Sequence, residues 1–194
     1  MKIETIEIAG FAAAFSALRL PFGKEVRSRI MTHHDSDEEG MIDVGITPLV
    51  TYSARVEIAV EDLELMNTLV KRGDEHAKVV RGINVWAKIT APVYWWAEEE
   101  TYRAGHERLA SESTMHIDCR GLSGKELQEA KAAIPMGKEL TKVDMFSYQT
   151  LRRIVAQRHN HRLPEWHVFV DWIKTLPFSQ ELILDGLDIK EKEG

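Results

Sequence analysis

Cys119 is the only cysteine in 194 residues, which excludes an intramolecular disulfide framework and fits a reducing compartment. No apolar run reaches the roughly 18 to 20 residues that cross a bilayer. The opening MKIETIEIAGFAAAFSALRL lacks the basic start and small-residue cleavage site of a secretory leader, so the expected location is cytoplasmic with no membrane partner. An excess of positive charge is missing as well. Asp and Glu outnumber Lys and Arg by 31 to 25, for a net charge of −6, and no overall field draws in a phosphate backbone. Nucleic acid is therefore not expected as a partner, although a few local Arg or Lys side chains suffice for a small phosphorylated ligand. Internal repeats and low-complexity linkers are also absent.

What remains is an ordinary globular balance, 44% apolar and 29% charged. The length suits one domain over residues 1–194. Period-two alternation predicts a short strand over Lys2 to Ile8 and another over Ala54 to Val60, with the clearest strand at Ile83 to Ile89. An Ala-rich helix follows from Ala9 to Leu18, closed by Pro21 and Gly23. Apolar residues at Leu63, Leu65, Met66, Leu69 and Val70 mark one face of a helix over Glu61 to Lys71, and a helical turn fits Glu75 to Arg81. Pro92 suits a helix start, where its missing N–H is harmless, and that helix is expected to run through YWWAEEETYR to Arg103. Ser123 with Glu126 has the spacing of a capping box for a helix from Lys125 to Ala133. Further helices are expected over Met145 to Arg158 and from Pro164 to just before Pro177.

Residues Leu63 to Arg103, with the hydroxyl-rich Ser111-Glu112-Ser113-Thr114-Met115-His116 beyond them, resemble the central segment of flavin-dependent thymidylate synthases. In that family a helix ending in Gly-His-Glu is followed by a strand and a helix ending in Arg-His-Arg, then a loop S-x-N-E-x-S-x-R-Y. Laid along this sequence, His76 takes the place of the flavin-contacting His, and Thr101-Tyr102-Arg103 that of Arg-His-Arg. About five residues around GHERL are extra before the loop. Its register has two solutions: anchored on Glu112, Thr114 stands for the active-site Ser and His116 for the Arg; anchored on Ser113, Met115 and His116 stand for Arg-Tyr. Arg158 matches a flavin-contacting Arg, while Thr141 or Lys142 and His167 fall where the family places Arg residues for the nucleotide. The resemblance covers about residues 63 to 176.

The resemblance implies an α/β (α+β) fold, a small mainly antiparallel sheet flanked by helices, assembled as a homo-oligomer, a tetramer in the family, with sites at subunit interfaces. It implies methylation of a dUMP-like pyrimidine nucleotide at its 5-position, with FAD as cofactor, a reduced folate as one-carbon donor and a nicotinamide reductant. By the same resemblance Ser113 and Thr114 are candidate catalytic residues; His76, Tyr102, Arg103, Glu112 and Arg158 would contact cofactor; Ser111, Ser113, His116, Lys142 and His167 would contact nucleotide. Thr101 and Tyr102 in place of two basic residues remove up to two charge-assisted bonds to an anion, each worth about 1.5 to 3 kcal/mol. Two further readings stand beside the enzyme: a nucleotide-binding protein on the same fold without flavin, and a transferase for a different pyrimidine nucleotide.

Other chemistry-bearing residues have plainer readings. His33, His34, Asp35, Asp37, Glu38 and Glu39 are metal ligands by type, yet no helical or strand spacing aims them at one point, so a solvated loop is expected. His159-Asn160-His161 reads as a polar helix end, Cys119 as a structural thiol, and Trp86, Trp95 and Trp96 as core.

Overall fold

The computed structural model describes residues 1–23, 29–31, 41–44 and 55–189; the acidic run His33 to Glu39 lies outside them. Two antiparallel sheets form. β1 (Lys2–Ala9), β5 (Asn84–Pro92), β7 (Glu139–Ser147) and β6 (His106–Ser111) make a four-stranded sheet in the order β1-β5-β7-β6. β2 (Arg29–Met31), β4 (Arg55–Ala59) and β3 (Met41–Val44) make a three-stranded one in the order β2-β4-β3. The helices are α1 (Phe11–Leu18), α2 (Val60–Lys71), α3 (Val93–Glu99), α4 (Thr114–Ile117), α5 (Gly124–Ala132), α6 (Tyr148–Arg158) and α7 (Pro164–Lys174). This is the expected α+β layout of a small antiparallel sheet with helices. No helix among the described residues is long and apolar enough to cross a membrane.

The period of two in β5 sorts its side chains cleanly. Val85, Ala87, Ile89 and Ala91 are buried, while Trp86, Lys88 and Thr90 on the opposite face are half-buried or exposed. Trp86 is therefore not the core residue its type suggests, whereas Trp95 and Trp96 are. The buried face packs with Phe146 of β7 against Phe11 and Phe15 of α1, Leu151 and Ile154 of α6, and Trp166 and Phe169 of α7. Each large apolar side chain so buried contributes about 1.5 to 3 kcal/mol.

Several boundaries differ from the sequence expectation, each for a local reason. α3 stops at Glu99 rather than Arg103. The Thr101 hydroxyl donates to the Glu98 carbonyl at 2.8 Å, and Gly105 then takes φ 72° to turn the chain into β6. A side chain at Gly105 would meet Ser147 Oγ at 2.4 Å and Thr150 Oγ1 at 2.5 Å, so both space and conformation require glycine. Residues Met145 to Ser147 belong to β7, not to the following helix. The Ser147 hydroxyl accepts from Thr150 N at 3.2 Å and so fixes the start of α6 at Tyr148. Ser123 makes no side-chain cap on α5, a helix that buries no side chain and whose end faces water. β6, β7 and α4 answer to no element expected from the sequence.

Candidate functional site

At the C-terminal end of α3 three consecutive glutamates point to three sets of partners, because successive helical residues are turned about 100° from one another. Glu98 Oε2 accepts from Arg158 Nη1 at 3.0 Å and from Trp166 Nε1 at 2.9 Å. Glu99, fully buried, accepts from Arg108 Nη2 at 2.9 Å and lies 3.2 Å from His106 Nε2. Glu100, half exposed, uses one oxygen for both Arg108 Nη1 at 2.7 Å and Lys142 Nζ at 3.0 Å.

The sheet supplies the other half of this network. Antiparallel pairing sets Arg108 of β6 opposite Asp144 of β7, and Ser111 opposite Lys142. Arg108 Nε and Nη2 grip the buried Asp144 carboxylate at 3.0 and 3.1 Å, a two-pronged geometry that only a guanidinium offers. His106 stacks on Phe146 with ring centroids 4.7 Å apart, its Nδ1 bonded to the Tyr102 carbonyl at 2.9 Å. Its Nε2 faces Glu99 Oε1 and Asp144 Oδ2, each at 3.2 Å. Beneath the cations lies Trp96, with Lys142 Nζ 4.4 Å and the Arg108 guanidinium carbon 5.3 Å from its ring centroid.

Burial pushes the Glu99 carboxyl up to about 7, with the His106 charge opposing the rise. Burial acts to lower the His106 imidazole, but the bond to Asp144 and the Glu99 charge outweigh it and hold the ring above its usual 6.5. Asp144 is likewise resisted by burial and still held below the usual carboxylate range by His106 and Arg108. The group therefore retains a proton near neutral pH within a cluster of balanced charge. Donor atoms of Glu99, His106 and Asp144 lie within 4.8 Å of one another, as metal ligands would. Arg108, bonded to both carboxylates, already supplies the positive charge a metal would bring.

Of the residues singled out from sequence, several join this line. Tyr102 donates from its hydroxyl to Gln157 and accepts from Arg158 Nε, both at 2.9 Å. Arg158 also lies over the Trp166 ring at 4.7 Å. Lys142 and Ser111 are cross-strand neighbours, and Glu112 extends the ladder by accepting from Thr141 N at 2.7 Å. Ser113 begins α4 without a side-chain cap bond, and the Thr114 hydroxyl accepts from Lys131. Met115 and His116 are exposed on α4, and Arg103 is exposed with no ion pair among the described residues. His76 lies in the turn after α2, and His167 on α7. The loop carrying His76 is tied through Asp74 to Arg153 and Gln149 of α6, while His167 Nε2 bonds the His161 carbonyl at 2.6 Å. His159 and His161 form the polar helix end expected of them, and Cys119 is buried.

Glu99, His106, Arg108 and Asp144 were not expected. Signals for them existed: a run of three glutamates closing an aromatic helix, and a Lys and an Asp two apart in a strand-length stretch that ends in Phe146.

The four-stranded antiparallel sheet and its helices have the α+β fold of solved thymidylate synthase X structures. Thymidylate synthase X from Helicobacter pylori, solved with FAD and dUMP, shares the fold with TM-score 0.64 and 12% identity over 97% of this chain and 100% of its own. A second complex of that enzyme gives TM-score 0.63 and 12% identity over 96% and 100%. The UMP/dUMP methylase PolB from Streptomyces cacaoi, bound to 5-Br dUMP, gives 0.59 and 10% over 93% of each chain. No family model and no curated protein matches the sequence.

The residues that the resemblance implies for flavin do not fit its pyrophosphate within one chain. Arg158 is neutralised by Glu98, Tyr102 is a neutral phenol, and the Glu112 carboxylate is taken by a backbone N–H. Of the two arginines in the set, Arg103 is the one without an ion pair among the described residues.

Proposed function

We propose that the chain binds a pyrimidine nucleoside monophosphate of the dUMP type beside the end of α3, with Arg103, Ser111 to His116 and Lys142 as its contacts, and acts at the 5-position of its base. The observation that carries the reading is the shared fold with solved proteins whose bound ligands are dUMP and 5-Br dUMP. In this reading Ser113 and Thr114 sit beside the base, and Ser111, His116 and Lys142 meet ribose and phosphate. The exposed Leu109, Met115 and Ile117 favour a homo-oligomer in which a second copy closes the site, and the proposed location is the cytoplasm.

The flavin form of this reading has FAD beside the nucleotide, methylene-folate as donor and a nicotinamide reductant, and it needs cations from a second copy. The internal pairing of Arg158 with Glu98 favours the alternative, nucleotide binding without flavin. Titration calorimetry with dUMP, UMP and FAD separates them. Saturable binding of a nucleotide supports the proposal, and its absence for both nucleotides rejects it. Bound FAD, seen in the visible spectrum of the purified protein, would select the flavin form.

A further inference from the structure

We infer that Arg108 and Lys142 form an anion subsite in which the Glu100 carboxylate stands as an internal substitute for a phosphate monoester. Among the described residues, Glu100 Oε1 is the sole atom bridging the two cations, at 2.7 Å from Arg108 Nη1 and 3.0 Å from Lys142 Nζ. Unlike its neighbours it is not fixed by burial, with its side chain 52% exposed against 0% for Glu99 and Asp144. Glu100 lies just past the last residue of α3, where the chain is leaving helical geometry, so its side chain can swing outward without disturbing the helix.

The cations, by contrast, are fixed. Arg108 keeps three bonds to Glu99 and Asp144 when Glu100 leaves, and Lys142 is buried against the Trp96 ring. Departure of Glu100 would leave Arg108 Nη1 and Lys142 Nζ without a carboxylate partner beside the space it vacates. Burial resists charge on Glu100, yet its carboxyl is held below the usual range by Lys142 and Arg108, so at neutral pH it competes as a full anion. A phosphate monoester carries more charge and more acceptor oxygens than one carboxylate, and replaces it without new desolvation of the cations. Assignment of the natural ligand as a nucleotide rests on the function proposed above; the anion subsite itself does not.

The test is calorimetric titration of the full chain and of Glu100→Gln, Lys142→Gln and, as a surface control, Glu129→Gln, with inorganic phosphate and with dUMP. Removing the competing carboxylate is expected to tighten phosphate by about tenfold, the loss of one charge-assisted contact. Lys142→Gln is expected to weaken it, and Glu129→Gln to leave it unchanged. Equal phosphate affinity in wild type and Glu100→Gln, or no phosphate binding in either, overturns the subsite. Binding of dUMP to wild type with no gain in Glu100→Gln also overturns it while leaving the nucleotide proposal standing. Tighter phosphate in Glu100→Gln without any dUMP binding supports the subsite and rejects the nucleotide proposal.

Discussion

Replacing Arg108 with Met keeps much of the apolar stem over Trp96 and removes the guanidinium alone. The structure gives that group bonds to Asp144 at 3.0 and 3.1 Å, to Glu99 at 2.9 Å and to Glu100 at 2.7 Å. Glu100 can turn to water, but Glu99 and Asp144 are fully buried, so two carboxylates lose their main cation and cannot recover solvent. Breaking a buried pair in this way costs about 3 to 5 kcal/mol, and for a chain of this size each kcal/mol lowers the melting temperature by about 2 to 4 °C. The expected loss is therefore about 6 to 20 °C. Urea unfolding followed by tryptophan fluorescence reads it, since Trp96 lies beside the change. The cost must also shrink in acid, where the stranded carboxyls take up protons, and it must be partly recovered when Asp144→Leu is added, because an apolar pair needs no cation. A loss under about 1 kcal/mol at pH 8, or one that does not change between pH 5 and pH 8, would refute the reasoning about this network.

The wild-type protein has its own pH signature. Glu99 and His106 have folded pKa values raised above their unfolded ones, so their contribution is complete at low pH and is lost as pH rises toward and past 7; Asp144 is lowered, so its contribution is lost as pH falls through the range below 3.8. The urea midpoint is thus expected to be highest in mildly acidic solution and to fall as pH rises through 7, with Glu99→Gln flattening the part of the fall between 4.5 and about 7; a midpoint that climbs from pH 6 to 8 counts against the assignment. Gly105→Ala, which forces a left-handed residue and two sub-van-der-Waals contacts, is expected to lower stability by about 2 kcal/mol or more in the same assay, and a change within 0.5 kcal/mol, roughly the scatter of neutral surface substitutions, would deny that β6 is pinned there. Cys119, buried beside α4, is expected to resist a thiol reagent until the chain unfolds, and rapid labelling of the native protein would contradict that placement.

Particular residues explain how much of this could be read in advance. β5 and α2 were legible because their apolar residues keep one period and one buried face throughout. β7 was not, since its inward positions carry Lys142 and Asp144 where a strand pattern calls for apolar side chains; only the partners on β6 and α3 make those charges admissible. β6 is a polar edge strand whose His106 and Arg108 fall in the stretch that the family comparison left as extra residues. Tyr102, Ser111, Glu112, Lys142 and Arg158 were picked out by resemblance, and they lie along one line of bonds. Glu98, Glu99 and Glu100 read as a solvated run in one dimension. In three dimensions their rotation around α3 sends each to a different cation, which no local pattern encodes.

The central claim is that the end of α3 is a nucleotide site, and Arg103 offers the most direct test because it is exposed and bears no internal partner among the described residues. Wild type and Arg103→Ala titrated with dUMP by calorimetry should differ by about 1.5 to 3 kcal/mol in binding, at equal melting temperature of the free proteins. If wild type takes up no dUMP, or if the two proteins bind it equally, the site is not where we place it and only the fold is shared.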